Sequence, residues 1–392
     1  MRSSNEYLAL ADRVFLKTLE FPAVYSADSD ELYEVDQAGF EELARCDGTL
    51  RASESRFPDE FLEFCLDEGL LIFRGEPTPR TVRVGRNESP SLRYLMLEVT
   101  DRCNLACRHC YLGDGVGREL QESTVLSLMD EFDDIGGLRL IVTGGEPLLY
   151  SALGRINEAM SGRLCRTVLI TNATLLDDAT CGVLEFDEVQ VSVDGMRAGH
   201  DSIRGEGSFD AAMRGLGCLK RAGRDISIAT MIHTGNVLEM DGLAKLVDEL
   251  GAVSWTLDVP CQAGRLAGGG QDIVPSLEQA AECMERAFGS EQHRPSGAYA
   301  CGAHLASVDP AGTLVKCGFY PDWTGGPLRT GLRKAWRDLP RLRLEELECD
   351  CEFVYDCGGG CRFRAETSGG RYAPDPLKCA QFGVSRPRGD RS

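Results

Sequence analysis

Seventeen cysteines, spread unevenly over 392 residues, constrain the fold of this chain more than any other feature. Cys103, Cys107 and Cys110 form one tight group. Seven more crowd the last quarter of the chain: Cys301, Cys317, Cys349, Cys351, Cys357, Cys361 and Cys379. The N-terminal residues lack an apolar signal core, so we expect a cytoplasmic protein, whose thiols stay reduced. Grouped cysteines in that compartment predict metal binding rather than disulfides, and the scattered ones are expected to be small buried side chains.

The charge balance narrows the range of partners. Acidic residues number 62 and basic residues 42, which gives a net charge of −20. Such a chain repels a phosphate backbone, so we expect no nucleic-acid partner. No window approaches about 18 consecutive apolar residues, so the sequence also predicts no membrane partner.

Residues 1–80 combine short strands with short helices, a mixture that predicts a winged-helix-like module. The predicted elements are a strand at Leu32–Asp36, a helix at Gly39–Ala44, a turn at Cys46–Gly48, a helix at Pro58–Glu68 and a strand at Leu70–Phe73. Residues 74–90 contain three prolines and are predicted to form a linker.

Residues 91–290 alternate between predicted strands and amphipathic helices. The strands are Tyr94–Thr100, Leu138–Thr143, Arg166–Thr171, Glu188–Val193, Ile226–Ile232 and Ser254–Val259. The helices include Ser123–Ile135, Phe209–Arg221 and Leu238–Leu250. These units predict an α/β fold with a parallel sheet and right-handed crossovers, either doubly wound or curled into a partial barrel. Function is then expected at the carboxyl ends of the strands.

Residues 299–383 are rich in cysteine and glycine and have few long periodic runs. Bound metal is expected to replace part of an apolar core there. Residues 384–392 are predicted to be a disordered tail.

The first cysteine group has the spacing C-x3-C-x2-C and directly follows the first predicted strand. Three thiolates on one loop can bind three irons of a cubane and leave the fourth iron open for a substrate or cofactor. The alternative is a zinc site completed by His109, but His109 is adjacent to Cys110, and a structural zinc site does not explain the downstream motifs.

This spacing resembles that of the radical S-adenosylmethionine (SAM) superfamily. Gly144-Gly145-Glu146-Pro147 follows the second predicted strand, where the family's GGEP motif contacts the methionine amino group. Arg204, within His200–Gly205, resembles the family's arginine that binds the SAM carboxylate, a role that suits a planar guanidinium.

The same resemblance implies further SAM contacts. Asn172 lies at the end of the third predicted strand, and Ser192 and Asp194 lie at the end of the fourth, where the family makes polar contacts with the ribose and the methionine tail. His109 stands where an aromatic ring commonly stacks near adenine, and Tyr111 is the alternative for that role.

The resemblance implies SAM as a cofactor and a [4Fe–4S] cluster on Cys103, Cys107 and Cys110. In the family, the reduced cluster cleaves SAM to methionine and a 5′-deoxyadenosyl radical, which abstracts a hydrogen atom from the substrate. A low-potential electron donor such as flavodoxin or ferredoxin is then a partner, and a cavity closed to water is expected.

The C-terminal cysteines resemble the SPASM domain, which holds two auxiliary iron–sulfur clusters in peptide-modifying members of the superfamily. The resemblance assigns Cys301, Cys317 and Cys361 to the first auxiliary cluster. It assigns Cys349, Cys351, Cys357 and Cys379 to the second, for three [4Fe–4S] clusters in all.

Two features depart from the SPASM pattern. Cys349 and Cys351 form C-x-C where the pattern has C-x2-C, which leaves open whether both are ligands. No cysteine lies between Gly302 and Lys316, so the first auxiliary cluster has either an open iron or a non-cysteine ligand such as His304. A zinc ribbon is the alternative for this segment, but seven cysteines exceed one tetrahedral site.

The N-terminal module resembles the recognition element of ribosomally made, post-translationally modified peptides. The resemblance rests on Glu31–Asp36, Leu43, Asp47-Gly48 and Asp67–Leu71. It implies that a precursor-peptide leader adds a strand to an exposed sheet edge. The alternatives are a structural cap on the barrel and a DNA-binding winged helix, which the local charge disfavours.

Together these resemblances predict a partial (β/α)6 radical SAM barrel with an N-terminal winged-helix-like module and a C-terminal SPASM domain. The expected activity is that of a peptide-modifying oxidoreductase that forms a thioether, C–C or related crosslink in a precursor peptide. The alternatives are a haem-pathway radical SAM decarboxylase and a non-catalytic iron–sulfur carrier or leader-binding protein. Neighbouring genes and the mass of a co-expressed peptide would separate these alternatives.

Overall fold

The computed structural model of the chain describes residues 6–289 and 298–384. These residues form two compact units. Unit 1 combines the residues up to Leu95 with Ser127–Leu140 and Gly162–Arg166, and unit 2 contains the remainder. Residue 290 and the predicted tail beyond Val384 lie outside the described residues.

The N-terminal part of unit 1 consists of two small sheets and two short helices. Its elements are β1 (Tyr7–Leu10), β2 (Val14–Thr18), β3 (Pro22–Ser26), β4 (Glu31–Glu34), α1 (Gln37–Ala44), β5 (Asp47–Arg51), α2 (Asp59–Asp67), β6 (Leu71–Arg74) and β7 (Val84–Arg86). Strand β1 lies between β5 and β6 and is antiparallel to both, and the second sheet has the order β4-β3-β2-β7. Leu8 and Leu16 of the strands pack with Leu43 and Leu62 of the helices in one apolar core.

The predicted turn and linker differ from the structure. Part of Cys46–Gly48 belongs to β5, and the linker contributes β7, which runs parallel to β2. The linker also approaches the start of β5 closely, and Thr78 N donates a hydrogen bond to Gly48 O at 3.1 Å. Gly48 has a φ of +86°, and a Cβ there would lie 2.3 Å from Thr78 O, so the crossing requires glycine.

The six strands predicted for the second segment all form, with slightly different bounds. They are β8 (Tyr94–Glu98), β9 (Arg139–Thr143), β10 (Arg166–Thr171), β11 (Glu188–Ser192), β12 (Asp225–Met231) and β13 (Ser254–Asp258). They lie side by side in chain order, and neighbouring strands from β10 to β13 are parallel. Because this order never reverses, right-handed crossovers place the helices on one face, as in a barrel and unlike a doubly wound sheet.

Seven helices accompany these strands. They are α3 (Glu122–Asp134), α4 (Leu153–Glu158), α5 (Asp178–Val183), α6 (Arg197–Arg204), α7 (Ser208–Arg221), α8 (Met240–Leu250) and α9 (Leu277–Met284). Helix α7 buries Phe209, Ala212, Leu216 and Leu219, which recur at helical spacing on one face. Across residues 6–289 and 298–384, no helix has both the length and the apolar character needed to cross a membrane.

The C-terminal segment contains more regular structure than predicted. Its elements are β14 (Leu305–Val308), β15 (Thr313–Val315), β16 (Thr324–Pro327), α10 (Leu332–Asp338), α11 (Val354–Cys357), α12 (Arg362–Ser368) and α13 (Pro376–Gln381). The three strands extend the main sheet beside β8 and make it mixed, because β15 is antiparallel to both β14 and β16. Tyr320, Trp323, Leu342 and Leu344 form an apolar core, against which Cys317 packs.

Candidate active site

A cavity of about 240 Å³ lies at the carboxyl ends of the strands of unit 2. Most of the residues predicted from the sequence line it: Cys103, Cys107, His109, Cys110, Tyr111, Gly144, Gly145, Asn172, Ser192, Asp194 and Arg204. Glu146 and Pro147 are buried but do not line the cavity. Residues more than 90 positions apart in the chain therefore meet at the place that a parallel sheet predicts.

The loop that carries the three cysteines is held by hydrogen bonds to its backbone. Arg265 N donates to Cys110 O at 3.0 Å, and Arg265 Nη1 donates to Cys107 O at 3.1 Å. Asp101 accepts hydrogen bonds from Gly117 N and Arg118 N, both at 2.8 Å, at the far end of the same loop. The loop therefore keeps its shape through contacts with segments on both sides.

Gly144 and Gly145 pack against the backbone of the cysteine loop. Gly145 N donates to Thr100 O at 2.7 Å. A Cβ at Gly144 would lie 2.3 Å from Thr100 O, and one at Gly145 would lie 2.4 Å from Arg102 O. The glycine pair thus lets the two loops approach each other, a packing role that comes in addition to the predicted approach to methionine.

Glu146 is completely buried and supports the end of β10. Its carboxylate accepts hydrogen bonds from Thr171 Oγ1 at 2.7 Å, Asn172 N at 2.9 Å and Leu148 N at 3.1 Å. Burial raises the pKa of Glu146, although these three donors oppose the shift. The structure shows a positioning role for Glu146, and its contact with the methionine ammonium stays a prediction.

Asn104 is a site residue that the sequence analysis missed. Asn172 Nδ2 donates to Asn104 Oδ1 at 3.0 Å, and Asn104 Nδ2 donates to Thr174 Oγ1 at 2.8 Å. Asn172 Nδ2 also lies 3.9 Å from Cys103 Sγ. The only sequence signal for Asn104 is its position between Cys103 and Cys107. That position does not reveal that Asn172 is its partner.

Asp194 is a buried carboxylate that lines the cavity and lies beside Arg204 and His109. Its carboxylate accepts hydrogen bonds from Arg204 Nε and from Met231 N, the latter at 2.7 Å, and lies 3.7 Å from His109 Nε2. Burial alone would raise the pKa of Asp194, but Arg204 and His109 outweigh it and lower the pKa to about 2. Arg204 Nη1 also lies 3.9 Å from Cys107 Sγ, so one guanidinium connects the cysteine loop with β11.

The backbone of Asp194 is held by two further residues that the sequence did not single out. Asn236 Nδ2 donates to Asp194 O at 3.0 Å, and His233 Nε2 lies 3.1 Å from the same oxygen. Asp194 N donates to Nδ1 of His200 at 3.1 Å. These contacts hold the carboxylate of Asp194 in one position before any ligand binds.

The donor set fits an iron–sulfur cluster and SAM. Three thiols line one cavity, and a coordinated thiol is deprotonated by the metal even where burial raises its pKa, as it does for Cys103 and Cys107. Burial lowers the pKa of His109 to about 4, so its imidazole is neutral at neutral pH. His109 Nδ1 is buried and makes no hydrogen bond with the described residues, which leaves a polar atom for a bound ligand.

The zinc alternative lacks support in this geometry. Within residues 6–289 and 298–384, no three His, Cys, Asp or Glu side chains converge as a single metal ion would require. A cubane needs no such convergence, because each thiolate binds a different iron. Cys103, Cys107 and Cys110 would hold the cluster at the cavity, where its open iron could bind SAM.

The C-terminal cysteines lie on turns that depend on glycine. Gly358, Gly359 and Gly360 all have positive φ, of 60°, 74° and 67°. A Cβ at Gly360 would lie 2.5 Å from Asp375, whose carboxylate accepts a hydrogen bond from Cys361 N at 2.7 Å. All seventeen cysteines are free thiols, and the seven in this segment are partly exposed. Their assignment to two clusters stays a prediction.

Comparisons with known proteins agree with this site. Residues 97–247 match the family model of the radical SAM superfamily. The chain is 29% identical over 364 residues to an AdoMet-dependent heme synthase of Oleidesulfovibrio alaskensis, covering 80% of this chain and 92% of that protein. It is 27% identical to the mycofactocin maturase MftC of Mycolicibacterium smegmatis, covering 73% of this chain and 82% of that protein.

Solved structures share the fold. SuiB of Streptococcus suis bound to S-adenosylmethionine matches with a TM-score of 0.70 and 14% identity, over 94% of this chain and 99% of that chain. SuiB bound to its precursor peptide SuiA matches with a TM-score of 0.69 and 12% identity, over 95% of this chain and 99% of that chain. The chain therefore contains a radical SAM domain, which includes residues 97–247.

Proposed function

We propose that the chain is a cytoplasmic peptide maturase that uses radical SAM chemistry to crosslink a ribosomally made precursor peptide. In this proposal residues 1–80 recognise the leader, residues 91–290 bind SAM, and residues 299–383 form a SPASM domain with two auxiliary [4Fe–4S] clusters. When bound, the reduced cluster and SAM supply a 5′-deoxyadenosyl radical that removes a hydrogen atom from the substrate. A low-potential donor such as flavodoxin or ferredoxin supplies the electron.

The observation that carries this proposal is the surface formed by the edge strand β4 and the neighbouring helix α2 in unit 1. Strand β4 is the terminal strand of its sheet, so one edge of its backbone is available for an added strand. The ring of Tyr33 on β4 meets Phe64 on α2 edge-on, with centroids 5.6 Å apart. Phe64 is 40% exposed, so its ring is accessible as an anchor for a bound peptide.

The negative charge on the surface of β4 and α2 indicates which kind of leader this surface would bind. Glu31 and Glu34 are exposed on β4, and Glu63 and Asp67 are exposed on α2. Both β4 and α2 would repel an acidic leader. The surface of β4 and α2 therefore favours an extended leader in which basic residues alternate with apolar ones.

Inside the cavity, the chain's own residues have separate roles. Arg204 offers a guanidinium to the SAM carboxylate, while Asp194 keeps that guanidinium in place. Gly144 and Gly145 keep the loop after β9 against the cysteine loop, so the ligand meets a preformed wall. The similarity to MftC, which is named a maturase, covers 73% of this chain and 82% of that protein.

A haem-pathway activity is the second candidate. The heme synthase of Oleidesulfovibrio alaskensis matches this chain over 92% of its own length, so a tetrapyrrole is a realistic alternative substrate. The two reactions differ in what leaves the substrate, because a crosslink removes two hydrogens and a decarboxylation removes carbon dioxide.

Mass spectrometry of reaction products tests the proposal. The full chain is co-expressed with each short peptide encoded beside its gene, and separately incubated with tetrapyrrole substrates, SAM and a reductant. We expect a peptide that has lost two hydrogens and an unchanged tetrapyrrole. A decarboxylated tetrapyrrole with unmodified peptides would overturn the proposal in favour of the alternative. A Cys103→Ala, Cys107→Ala and Cys110→Ala triple variant is the control for activity that does not need the SAM cluster.

A further inference from the structure

Lys316 is a buried lysine whose ammonium has no ion-pair partner among the residues that the structure describes. It lies between β15 and Cys317, and only 3% of the residue is exposed. Its backbone N donates to Trp323 O at 2.8 Å, which fixes the main chain. Among the described residues, its Nζ finds no hydrogen-bond acceptor and no carboxylate. A buried, unpaired charge is costly, so its presence calls for an explanation.

The neighbours of Lys316 Nζ show which groups its positive charge acts on. The nitrogen lies 5.2 Å from the centroid of the Trp323 ring, and a Cβ at Gly302 would lie 3.2 Å from it. Gly302 follows Cys301, and Lys316 precedes Cys317, so the ammonium sits among cysteines that the SPASM resemblance assigns to one cluster. Cys301, Cys317 and Cys361 all lie within electrostatic reach of the ammonium.

The tryptophan ring offsets only part of the cost of this burial, because a cation over an aromatic face is a weaker interaction than an ion pair. A second cation, Arg341, is within electrostatic reach of the same ammonium and makes the region more positive. Two positive groups beside three thiols predict an anionic ligand. A [4Fe–4S] cluster bound by thiolates carries a net negative charge, which grows by one unit on reduction.

We propose that Lys316 provides the charge that balances an anionic [4Fe–4S] cluster on Cys301, Cys317 and Cys361, and that it raises the reduction potential of that cluster. The inference rests on the proposed function, because it requires the first auxiliary cluster. The ammonium attracts the reduced cluster more strongly than the oxidised one, since the reduced cluster is more negative. The cluster thereby becomes a better acceptor for the single electron that leaves the substrate radical when a crosslink closes.

The test compares Lys316→Met with Lys316→Arg and with Lys334→Met. Lys334 is 56% exposed and pairs with Asp338 on α10, so its loss leaves the cysteine region intact. All three changes are made in the full chain with Cys103, Cys107 and Cys110 replaced by alanine, which removes the signal of the SAM cluster. Iron content and a redox titration followed by electron paramagnetic resonance are measured on reconstituted protein.

We expect Lys316→Met to keep its iron and to show about a tenfold lower ratio of reduced to oxidised cluster at a fixed potential, which equals a shift of about 59 mV for one electron. Lys316→Arg should restore most of the potential, and Lys334→Met should match the parent. Unchanged potential in Lys316→Met would overturn the role of Lys316 alone. Loss of the cluster in both Lys316 variants would also overturn it, because the residue would then serve assembly. Absence of auxiliary iron in the parent protein would instead overturn the SPASM part of the proposed function.

Discussion

Arg364 on α12 donates a hydrogen bond to Asp258 at the carboxyl end of β13, with 2.8 Å between Nη1 and Oδ1. The same guanidinium binds Asp375 through Nη2 at 3.0 Å, and Asp375 accepts from Cys361 N. One arginine therefore joins the wall of the cavity to the turn that carries a C-terminal cysteine. Asp258 lines the cavity, and its side chain remains 46% exposed.

Asp258 lines the cavity and keeps one carboxylate oxygen free of hydrogen bonds from the described residues. Its Oδ1 accepts from Arg364 and from Val259 N, while Oδ2 accepts no hydrogen bond from the described residues. Asp194, the other carboxylate that lines the cavity, is completely buried and occupied by Arg204. In the proposed reaction, a crosslink that forms at a nucleophile releases one proton and one electron, and we expect Asp258 to take the proton.

We therefore expect Asp258→Asn to uncouple the reaction. SAM cleavage and formation of 5′-deoxyadenosine should continue, whereas the crosslinked peptide should form about 100-fold more slowly or less. Liquid chromatography with mass spectrometry measures both products in one sample. Asp241→Asn is the matched control, because Asp241 also pairs with an arginine, Arg286, but lies away from the cavity. Equal crosslinking in both variants would contradict this role.

Arg204→Lys should weaken SAM binding. The lysine keeps the charge but loses the planar fork that connects Asp194, the region of Cys107 and a carboxylate ligand. The expected loss is about 1–3 kcal/mol, measured by titration calorimetry of reconstituted protein. Arg197→Lys on the same helix is the control, since Arg197 is 60% exposed and pairs with Asp210. Unchanged affinity for Arg204→Lys would show that the SAM carboxylate binds elsewhere.

The acidic surface of β4 and α2 should select basic peptides, with Phe64 as their apolar anchor. We expect a synthetic peptide of alternating leucine and lysine to bind the full chain more tightly than one of alternating leucine and glutamate. Phe64→Ala should weaken that binding about tenfold or more, because a hot-spot anchor is lost. Phe73→Ala is the control, since Phe73 is similarly exposed but lies on the other sheet.

Point variants test leader binding at β4 and α2 better than deletion of the first 80 residues would. Unit 1 includes Ser127–Leu140 and Gly162–Arg166, so removing the first 80 residues would strip partners from those segments. Fluorescence anisotropy measures the binding, and SAM cleavage without peptide shows that the site in unit 2 is intact. Equal affinity of wild type and Phe64→Ala would leave β4 and α2 with a purely structural role.

Lys17 should make the stability of unit 1 depend on pH. It is 1% exposed, and its Nζ donates to Gly137 O at 2.9 Å and to Leu164 O at 2.7 Å. Burial lowers the pKa of Lys17 from 10.5 to about 8. Between these two values the unfolded chain binds more protons than the folded chain, so the free energy of unfolding rises with pH in that window. The expected rise is about 3 kcal/mol.

Lys17→Met should lack this rise. Urea unfolding between about pH 8 and pH 10.5 measures it, and the difference between wild type and variant cancels the other titrating groups. Lys334→Met serves again as the control, because its ammonium is exposed. Parallel pH profiles for wild type and Lys17→Met would show that Lys17 titrates normally when folded.

Local patterns in the sequence predicted much of this protein. The six strands from β8 to β13 and the helices α3, α7 and α8 follow from periodicity within short windows, which depends only on neighbouring residues. The cavity residues on the cysteine loop and at the strand ends were predicted from the resemblance to the radical SAM superfamily, and the order of the strands explains why they meet. In a sheet of consecutive parallel units, the chain order alone places all carboxyl ends at one edge.

The tertiary structure decided the contacts that join distant segments. Strand β7 within the predicted linker, the strands β14 to β16 beside β8, and the partners Asn104, His233 and Asn236 carry no periodic signal of their own. The Arg364–Asp258 pair likewise joins residues that are far apart in the chain. The burial of Lys316 also depends on segments that are distant in sequence. Such contacts depend on how whole elements pack, because burial and pairing are set by three-dimensional neighbours that no local window of sequence contains.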